Sequence, residues 1–255
     1  MIDLHCHALP GIDDGPDSIE GSLALARAAA EAGTGTLVAT PHVSSRYPND
    51  AATIELLVEQ LAERIAGEQI ELTLLAGAEI AVTYLVEIDP SHLGRLGLGG
   101  GPWLLVEPPF TAVVSGIDAI IRDLLRRGHR VLLAHPERCP AFRRDPRMLE
   151  SLVAEGILTS ITAGSLTGRF GGEVRRFSLA LLEAELVHNV ASDAHDHRNR
   201  PPSIAEELEA AGAGPLQEWL TEEVPAAILT GGEIPRRPDL ALTGSRPRRW
   251  SWRRR

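Results

Sequence analysis

The sequence predicts a single α/β domain in which seven parallel strands and at least six crossover helices form a barrel. Short apolar runs alternate with helical patterns over most of the chain, as in repeated βα units. The 255 residues are 44% hydrophobic and only 4% aromatic, which indicates one large core of aliphatic side chains. Residues of metal-binding type end most of the apolar runs, so a barrel would gather them on one face.

Seven apolar runs are predicted to be the strands. Each is short enough for a strand, and a helical pattern separates it from the next in most cases. In chain order the runs are MIDLHCH (1–7), TGTLVATPH (34–42), ELTLLAGAEI (71–80), WLLVEPP (103–109), RVLLAHPER (130–138), ILTSITAG (157–164) and LVHNVASDAH (186–195).

The helix candidates between these runs mostly end at a glycine, which commonly follows a helix C-terminus. Two shorter helices near 215–221 and 224–230 complete the packed domain, 1–230. The segment 231–255 is rich in Gly, Pro and Arg and is predicted to be a flexible tail. The six main helix candidates span 16–32, 51–66, 116–127, 146–155, 173–185 and 203–211.

The net charge of −10 argues against nucleic acid as a partner, because phosphate backbones are bound by basic surfaces. The last ten residues, RPRRWSWRRR, are an exception with six arginines. They suit either peripheral contact with an anionic membrane or acidic partner, or a solvated tail. The sequence leaves homo-oligomerisation open. No apolar run reaches the roughly 18 residues of a membrane span, and we expect a cytoplasmic location.

His, Asp or Glu ends six of the seven predicted strands. The carboxyl ends of parallel barrel strands open onto one face, so these side chains are expected to converge there. Two pairs are spaced i, i+2, which on an extended strand places both side chains on the same side. Chance placement of polar residues at strand ends is the alternative. The candidate ligands are His5, His7, Asp14, His42, Glu79, Glu107, His135, Asp193 and His195.

Five imidazoles and four carboxylates are too many ligands for one ion, which takes four to six. A cluster of two or three divalent ions is therefore predicted. Nitrogen and oxygen ligands without thiolate favour Mn²⁺, Fe²⁺ or Zn²⁺. Clustered ions of this kind usually perform hydrolysis.

Arg138 and Arg200 follow ligand positions closely and are predicted to hold a phosphoryl group, because guanidinium suits two-pronged contact with phosphate oxygens. A salt bridge on the rim is the alternative for both. Asp13 is expected to form a turn rather than bind metal, and Cys6 to pack in the core. His92, His129 and His188 are assigned to the surface or core, and His197 is left ambiguous.

The motifs HxH, DDGP, TPH, GAEI, AHPER and SDAH followed by RPP, in this order, resemble the polymerase-and-histidinol-phosphatase (PHP) superfamily. Within it they are most similar to the bacterial capsule-type tyrosine-protein phosphatases (CpsB/CapC and YwqE-like). The resemblance covers about residues 1–230 and implies a distorted (β/α)7 TIM-like barrel, a trinuclear site often occupied by manganese, and hydrolysis of phosphotyrosine. The family's ligand pattern falls on the nine residues above, and its phosphate-binding arginines on Arg138 and Arg200.

The resemblance also implies a substrate, the tyrosine-rich tail of a bacterial tyrosine autokinase that controls capsule or exopolysaccharide export. The hypothesis is attack on phosphorus by a metal-bridged hydroxide without a phosphoenzyme. A cysteine nucleophile is disfavoured, because a cysteine-dependent tyrosine phosphatase needs an arginine six residues after its cysteine. In this sequence, Ile12 stands at that distance from Cys6 and Asp145 at that distance from Cys139. A small-molecule phosphatase such as histidinol-phosphatase, and a non-catalytic metal-stabilised binding protein, remain alternatives.

Overall fold

The computed structural model of the protein describes residues 1–111 and 116–239. Strands and helices alternate along these ranges, as the sequence predicts. The strands are β1 (Ile2–Cys6), β2 (Thr36–Ala39), β3 (His42–Val43), β4 (Thr73–Ala76), β5 (Glu79–Ala81), β6 (Trp103–Glu107), β7 (Arg130–Ala134), β8 (Leu158–Thr162) and β9 (Asn189–Ala191). The α-helices are α1 (Ile19–Glu31), α2 (Ala51–Gly67), α3 (Pro90–Leu93), α4 (Ile117–Arg126), α5 (Pro140–Arg144), α6 (Pro146–Ala154), α7 (Ala163–Thr167), α8 (Gly172–Glu183), α9 (Ile204–Ala210) and α10 (Val224–Thr230).

The strands pair in parallel within two sheets, ordered β1-β2-β4 and β3-β5-β6-β7-β8-β9. The second and third predicted strands are each divided between the sheets, at Pro41 and at Gly77. Pro41 has no N–H to donate to a neighbouring strand. A Cβ at Gly77 would lie 2.8 Å from Val38 Cγ1, so the two segments approach closely where they change sheet.

The chain segment after β9 lies against β1. Asp193 donates its backbone N–H to His5 O at 2.9 Å, and His7 donates to Ala194 O at the same distance. The buried Asp3 carboxylate reinforces this junction, because it accepts bonds from the backbone N–H of Ser192 at 3.1 Å and from its hydroxyl at 2.5 Å. The described strands form two sheets rather than one closed sheet, so the fold is α/β with parallel sheets.

The helices cover the sheets with amphipathic faces. Helix α1 begins after Ser18, whose hydroxyl accepts from Gly21 N at 3.3 Å, and α2 begins after Asp50, whose carboxylate accepts from Thr53 N at 2.8 Å. In α2 the buried side chains recur at helical spacing, from Ile54 to Ile65. Strands β6 and β7 are buried on both faces, as expected of parallel strands covered by helices.

The chain differs from the predicted elements mainly beyond the strand ends. The sixth predicted strand stops at Thr162, and α7 follows where a strand was expected. Of the last predicted strand, 186–195, only β9 is a strand. Where a helix was predicted near 215–221, a 3₁₀ turn, Gly214–Leu216, is followed by a π-helix, Trp219–Glu223. The reason at Thr162 is tertiary, because the buried carboxylate of Glu137 accepts from Thr162 N at 3.0 Å and from Ser165 Oγ at 2.7 Å.

Several of the first nine residues of the predicted tail contact the domain. Trp219 Nε1 donates to Pro235 O at 3.1 Å, and Arg237 donates to Leu182 O at 2.9 Å. The rest of that tail, 240–255, with its arginines and tryptophans, lies outside the described residues. No helix within 1–111 or 116–239 is both long and apolar enough to cross a membrane.

His188 is expected to make stability sensitive to acid. Its Nδ1 lies 3.2 Å from Thr159 N, which donates to it, and burial followed by the charge of Arg237 lowers its pKa to about 4. Since protonation favours the unfolded chain, this contribution is complete above the unfolded pKa near 6.5 and is lost as the pH falls toward 4. The expected loss is about 2 kcal/mol between pH 7 and pH 4.5.

His188→Asn keeps an acceptor for Thr159 but cannot titrate. Urea unfolding from pH 7 to pH 4.5, in the presence of chelator, is expected to show a shallower stability loss for His188→Asn than for wild type. The exposed His92 provides the matched control, His92→Asn. Parallel pH profiles for all three proteins would contradict the assignment.

Candidate metal centre

The structure brings all nine predicted ligand positions together at one end of the sheets. Four overlapping groups of His, Asp and Glu have ligand atoms within 4.8 Å of one another, and every predicted position belongs to at least one group. The shared members make the groups one continuous cluster. The groups are His7, Asp14, His42, His195; His5, His7, Asp193; His5, Glu79, His135; and His42, Glu79, Glu107.

The two i, i+2 pairs reach the cluster in different ways. His5 lies in β1 and His7 directly after it, and their Nε2 atoms are 3.2 Å apart, as two side chains on one side of a strand should be. The prediction of strand geometry was wrong for Asp193 and His195, because β9 ends at Ala191. Asp193 instead has a positive φ of 51°, and His195 Nδ1 lies 3.1 Å from Asp193 O.

Glu79 lies at the centre of the cluster and is fully buried. Its Oε1 is 2.7 Å from His135 Nε2. Its Oε2 makes no hydrogen bond, although ring nitrogens of three histidines lie 3.1 to 3.3 Å away. A carboxylate oxygen enclosed by nitrogen donors in this way fits a shared cation, and a set of only nitrogen and oxygen donors suits a divalent metal. The three histidines are His5, His7 and His42.

The charge on one carboxylate of the cluster affects the pKa of its neighbour. Burial, followed by repulsion from Glu79, raises the pKa of Glu107 to about 9. Burial opposes the charge on Glu79 as well, but His5 and His135 outweigh it and hold the pKa of Glu79 well below its ordinary value. Oxygens of Glu79 and Glu107 lie within 4.8 Å of each other, and two carboxylates at this distance do not both ionise unless positive charge is added. A bound cation would supply that charge.

Asp13 contributes a contact that the sequence analysis missed. Its Oδ1 accepts from Gly15 N at 2.9 Å, in the turn that was expected, but its Oδ2 lies 2.7 Å from His7 Nδ1 and accepts from His42 N at 3.0 Å. A carboxylate on one ring nitrogen of a histidine orients the other nitrogen toward a metal. The adjacent aspartates in the sequence do not say which of them turns inward.

The two predicted arginines share one carboxylate. Arg138 Nη1 donates to Asp193 Oδ2 at 2.6 Å, and Arg200 Nη2 lies 2.7 Å from the same oxygen. Burial opposes the charge on Asp193, but the histidines and these arginines keep its pKa well below the ordinary value. The arginine side chains remain 18% and 28% exposed. They are therefore fixed beside the cluster and still reachable from solvent.

The remaining His and Cys residues lie outside the four groups. His92 and His197 are exposed, and His197 Nε2 accepts from Arg198 Nε at 3.0 Å. Cys6 and Cys139 are both buried free thiols, and burial raises the pKa of each. The packing role predicted for Cys6 agrees with its complete burial. Neither thiol is suited to act as a nucleophile.

Comparison with known proteins agrees with this geometry. The family profile described as capsular polysaccharide synthesis, CpsB/CapC, matches residues 1–213. The chain belongs to the CpsB/CapC family. This membership confirms the resemblance found in the motifs.

Individual members of the CpsB/CapC family are similar over most of their length. Tyrosine-protein phosphatase YwqE of Bacillus subtilis is 41% identical over 235 residues, 92% of this chain and 91% of YwqE. Tyrosine-protein phosphatase CpsB of Streptococcus pneumoniae is 30% identical over 79% of this chain and 86% of CpsB.

A structural match comes from crystallographic work on YwqE of B. subtilis and CpsB of S. pneumoniae, which describes both as metal-dependent tyrosine phosphatases. The matching chain has a TM-score of 0.82 and 36% identity, over 93% of this chain and 98% of that one. The α/β architecture with parallel sheets is therefore that of a solved member of the family.

Asp13→Ala is expected to weaken metal binding about 10- to 100-fold, because His7 loses its orienting carboxylate. The measurement is calorimetric titration of Mn²⁺ into chelator-stripped protein. Asp17→Ala, an exposed residue of the same loop, is the matched control. Equal affinity of the two variants, with unchanged circular dichroism, would show that Asp13 only forms the turn.

Chelation is expected to lower the melting temperature, because an ion held by buried ligands binds the folded chain alone. At a free Mn²⁺ concentration about 100 times Kd, the ion should add about 2.7 kcal/mol to the free energy of unfolding. His135→Ala should lose much of this gain and carry less metal by elemental analysis, whereas His92→Ala should match wild type. A melting temperature indifferent to chelator would contradict the metal assignment.

Proposed function

We propose that this chain is a metal-dependent protein-tyrosine phosphatase that hydrolyses the phosphate monoester of phosphotyrosine. One observation carries the proposal: nine nitrogen and oxygen donors converge beside two arginines fixed on a carboxylate of the same cluster. Such a site can bind the ions and the phosphate of a hydrolytic reaction side by side. The similarity to YwqE and CpsB, both tyrosine-protein phosphatases, supports this substrate over a small metabolite.

The nine clustered residues are proposed to hold two or three divalent ions, with Mn²⁺ favoured over Fe²⁺ and Zn²⁺. When bound, such ions lower the pKa of a water and offset the charge of a phosphate. Glu79 would hold metal through both of its oxygens, because Oε1 faces His135 and Oε2 faces His5 and His42. The ligands proposed are His5, His7, Asp14, His42, Glu79, Glu107, His135, Asp193 and His195.

Arg138 and Arg200 are proposed to bind the phosphate oxygens and to stabilise their charge as the ester bond breaks. Arg138 donates to the Asp193 carboxylate and Arg200 donates to the Asp193 backbone oxygen, so both guanidinium groups lose little freedom when the substrate binds. No side chain is required to form a covalent phosphoenzyme. The buried thiols of Cys6 and Cys139 have no part in the reaction.

The two sheets are proposed to be a distorted (β/α)7 barrel, supported by the hydrogen bonds between β1 and the segment after β9. Residues 1–230 are proposed as the catalytic domain and 231–255 as a tail. The physiological substrate is proposed to be the tyrosine-rich tail of a bacterial tyrosine autokinase, in keeping with the link of the family to capsular polysaccharide synthesis.

The test is kcat/KM of the Mn²⁺-loaded protein on a phosphotyrosine peptide, the same peptide with phosphoserine, and histidinol phosphate. We expect a clear preference for phosphotyrosine that chelation abolishes. A preference for histidinol phosphate would favour the small-molecule phosphatase. Metal binding without turnover on any of the three would favour the non-catalytic binding protein.

Replacing the guanidinium of one arginine should slow the reaction without loss of bound metal. Arg138→Lys keeps the charge but loses the planar fork, and kcat is expected to fall about 100-fold. The exposed Arg126, 72% accessible in a surface ion pair, provides the control Arg126→Lys. Elemental analysis of both variants separates a phosphate-binding role from a loss of metal.

A further inference from the structure

Three aromatic rings lie beside the metal centre of a chain that contains few. Only 4% of the residues are Phe, Tyr or Trp, and four are Phe. Two of these phenylalanines, Phe142 and Phe177, are buried in the core. The other two, Phe110 and Phe170, lie against the arginines, and Tyr47 stacks on His42 with centroids 5.7 Å apart.

Phe110 and Phe170 flank the guanidinium of Arg138. Arg138 Cζ lies 4.9 Å from the centroid of Phe110 and 4.5 Å from that of Phe170. Arg200 Cζ lies 5.9 Å from the Phe170 ring. A phosphate bound by these arginines would therefore have phenyl rings next to it.

Phe110 is the more available of the two rings. It is 49% exposed, whereas Phe170 is only partly exposed. Its ring is stacked on His135, with centroids 5.5 Å apart and planes 19° apart, so its position relative to the cluster is fixed. Phe110 therefore presents part of its ring to solvent directly beside a proposed ligand and a proposed phosphate-binding arginine.

We infer that Phe110, with Phe170 beside it, forms a seat for the phenol ring of the substrate and gives the site its preference for aryl phosphates. This inference rests on the proposed function and adds a specificity-determining residue to it. A single ester oxygen separates phosphorus from the ring in phosphotyrosine, so a phosphate held by Arg138 brings that ring to Phe110. Phosphoserine has only a methylene group at this place and gains no such contact.

Phosphonates test the seat without any turnover. Phenylphosphonate carries the ring and methylphosphonate does not, and both can compete for the same arginines. Contact between the ligand ring and Phe110, together with the apolar area that it buries, should make phenylphosphonate bind about tenfold more tightly than methylphosphonate in the Mn²⁺-loaded wild type. Phe110→Ala is expected to lose most of this preference while methylphosphonate binds as before, and Phe110→Tyr should retain it.

Two controls separate recognition from structure. Leu56→Ala removes another exposed apolar side chain, 53% accessible on α2, and should leave both affinities unchanged. Elemental analysis should find the same metal content in every variant. If Phe110→Ala weakens both phosphonates equally, Phe110 only supports His135, and the inference is overturned.

The experiments distinguish a wrong assignment of Phe110 from a wrong assignment of the reaction. A phenylphosphonate preference that depends on Phe110, in a protein that does not hydrolyse phosphotyrosine, would support the seat and refute the reaction. Hydrolysis of phosphotyrosine with no phenylphosphonate preference would refute the seat alone. In an active enzyme, Phe110→Ala should lower kcat/KM about tenfold on the phosphotyrosine peptide, mainly through KM, and leave the phosphoserine peptide unchanged.

Discussion

The carboxylate of Asp193 couples the two halves of the candidate site. One of its oxygens lies 3.5 Å from ring nitrogens of His5 and His7. The other accepts a hydrogen bond from Arg138 and forms an ion pair with Arg200. This carboxylate is buried, where an unpaired charge is costly, so its partners must be present on both sides. The position of the arginines, and through them of the aromatic rings, therefore depends on the residues proposed to bind metal.

Two residues of the candidate metal centre have strained backbone conformations. Only four non-glycine residues within 1–111 and 116–239 have positive φ, and two of them, His135 at 29° and Asp193 at 51°, belong to the cluster. Such conformations cost about 1 to 3 kcal/mol each and persist only where the surroundings impose them. At Asp193 the surroundings include the Asp3 carboxylate, which holds the preceding Ser192 by two hydrogen bonds. A buried residue outside the cluster thus helps to fix a ligand inside it.

Most of the site could be predicted from the sequence because parallel strands end on one side of a fold. That rule places residues of six strands together without any knowledge of side-chain geometry, and the structure gathers all nine. The features of the site that this rule does not predict depend on tertiary contacts. The bond from Asp13 to His7, the start of α7 opposite Glu137 and the bend at Asp193 leave no periodic signal in the chain. The division of the strands between two sheets also depends on hydrogen-bond geometry that the strand pattern does not contain.

The aromatic rings show why composition can matter more than pattern. In an aromatic-rich protein, a phenylalanine near a cleft would carry little information, because such residues fill every core. Here most of the core is Leu, Ile, Val and Ala, and the aromatic side chains are few enough for their placement to be informative. Phe110 is 49% exposed, so about half of its surface contributes no free energy of burial, and it contacts both a proposed ligand and a proposed phosphate-binding arginine. A ring in that position is accounted for by what binds there, since the core does not need it.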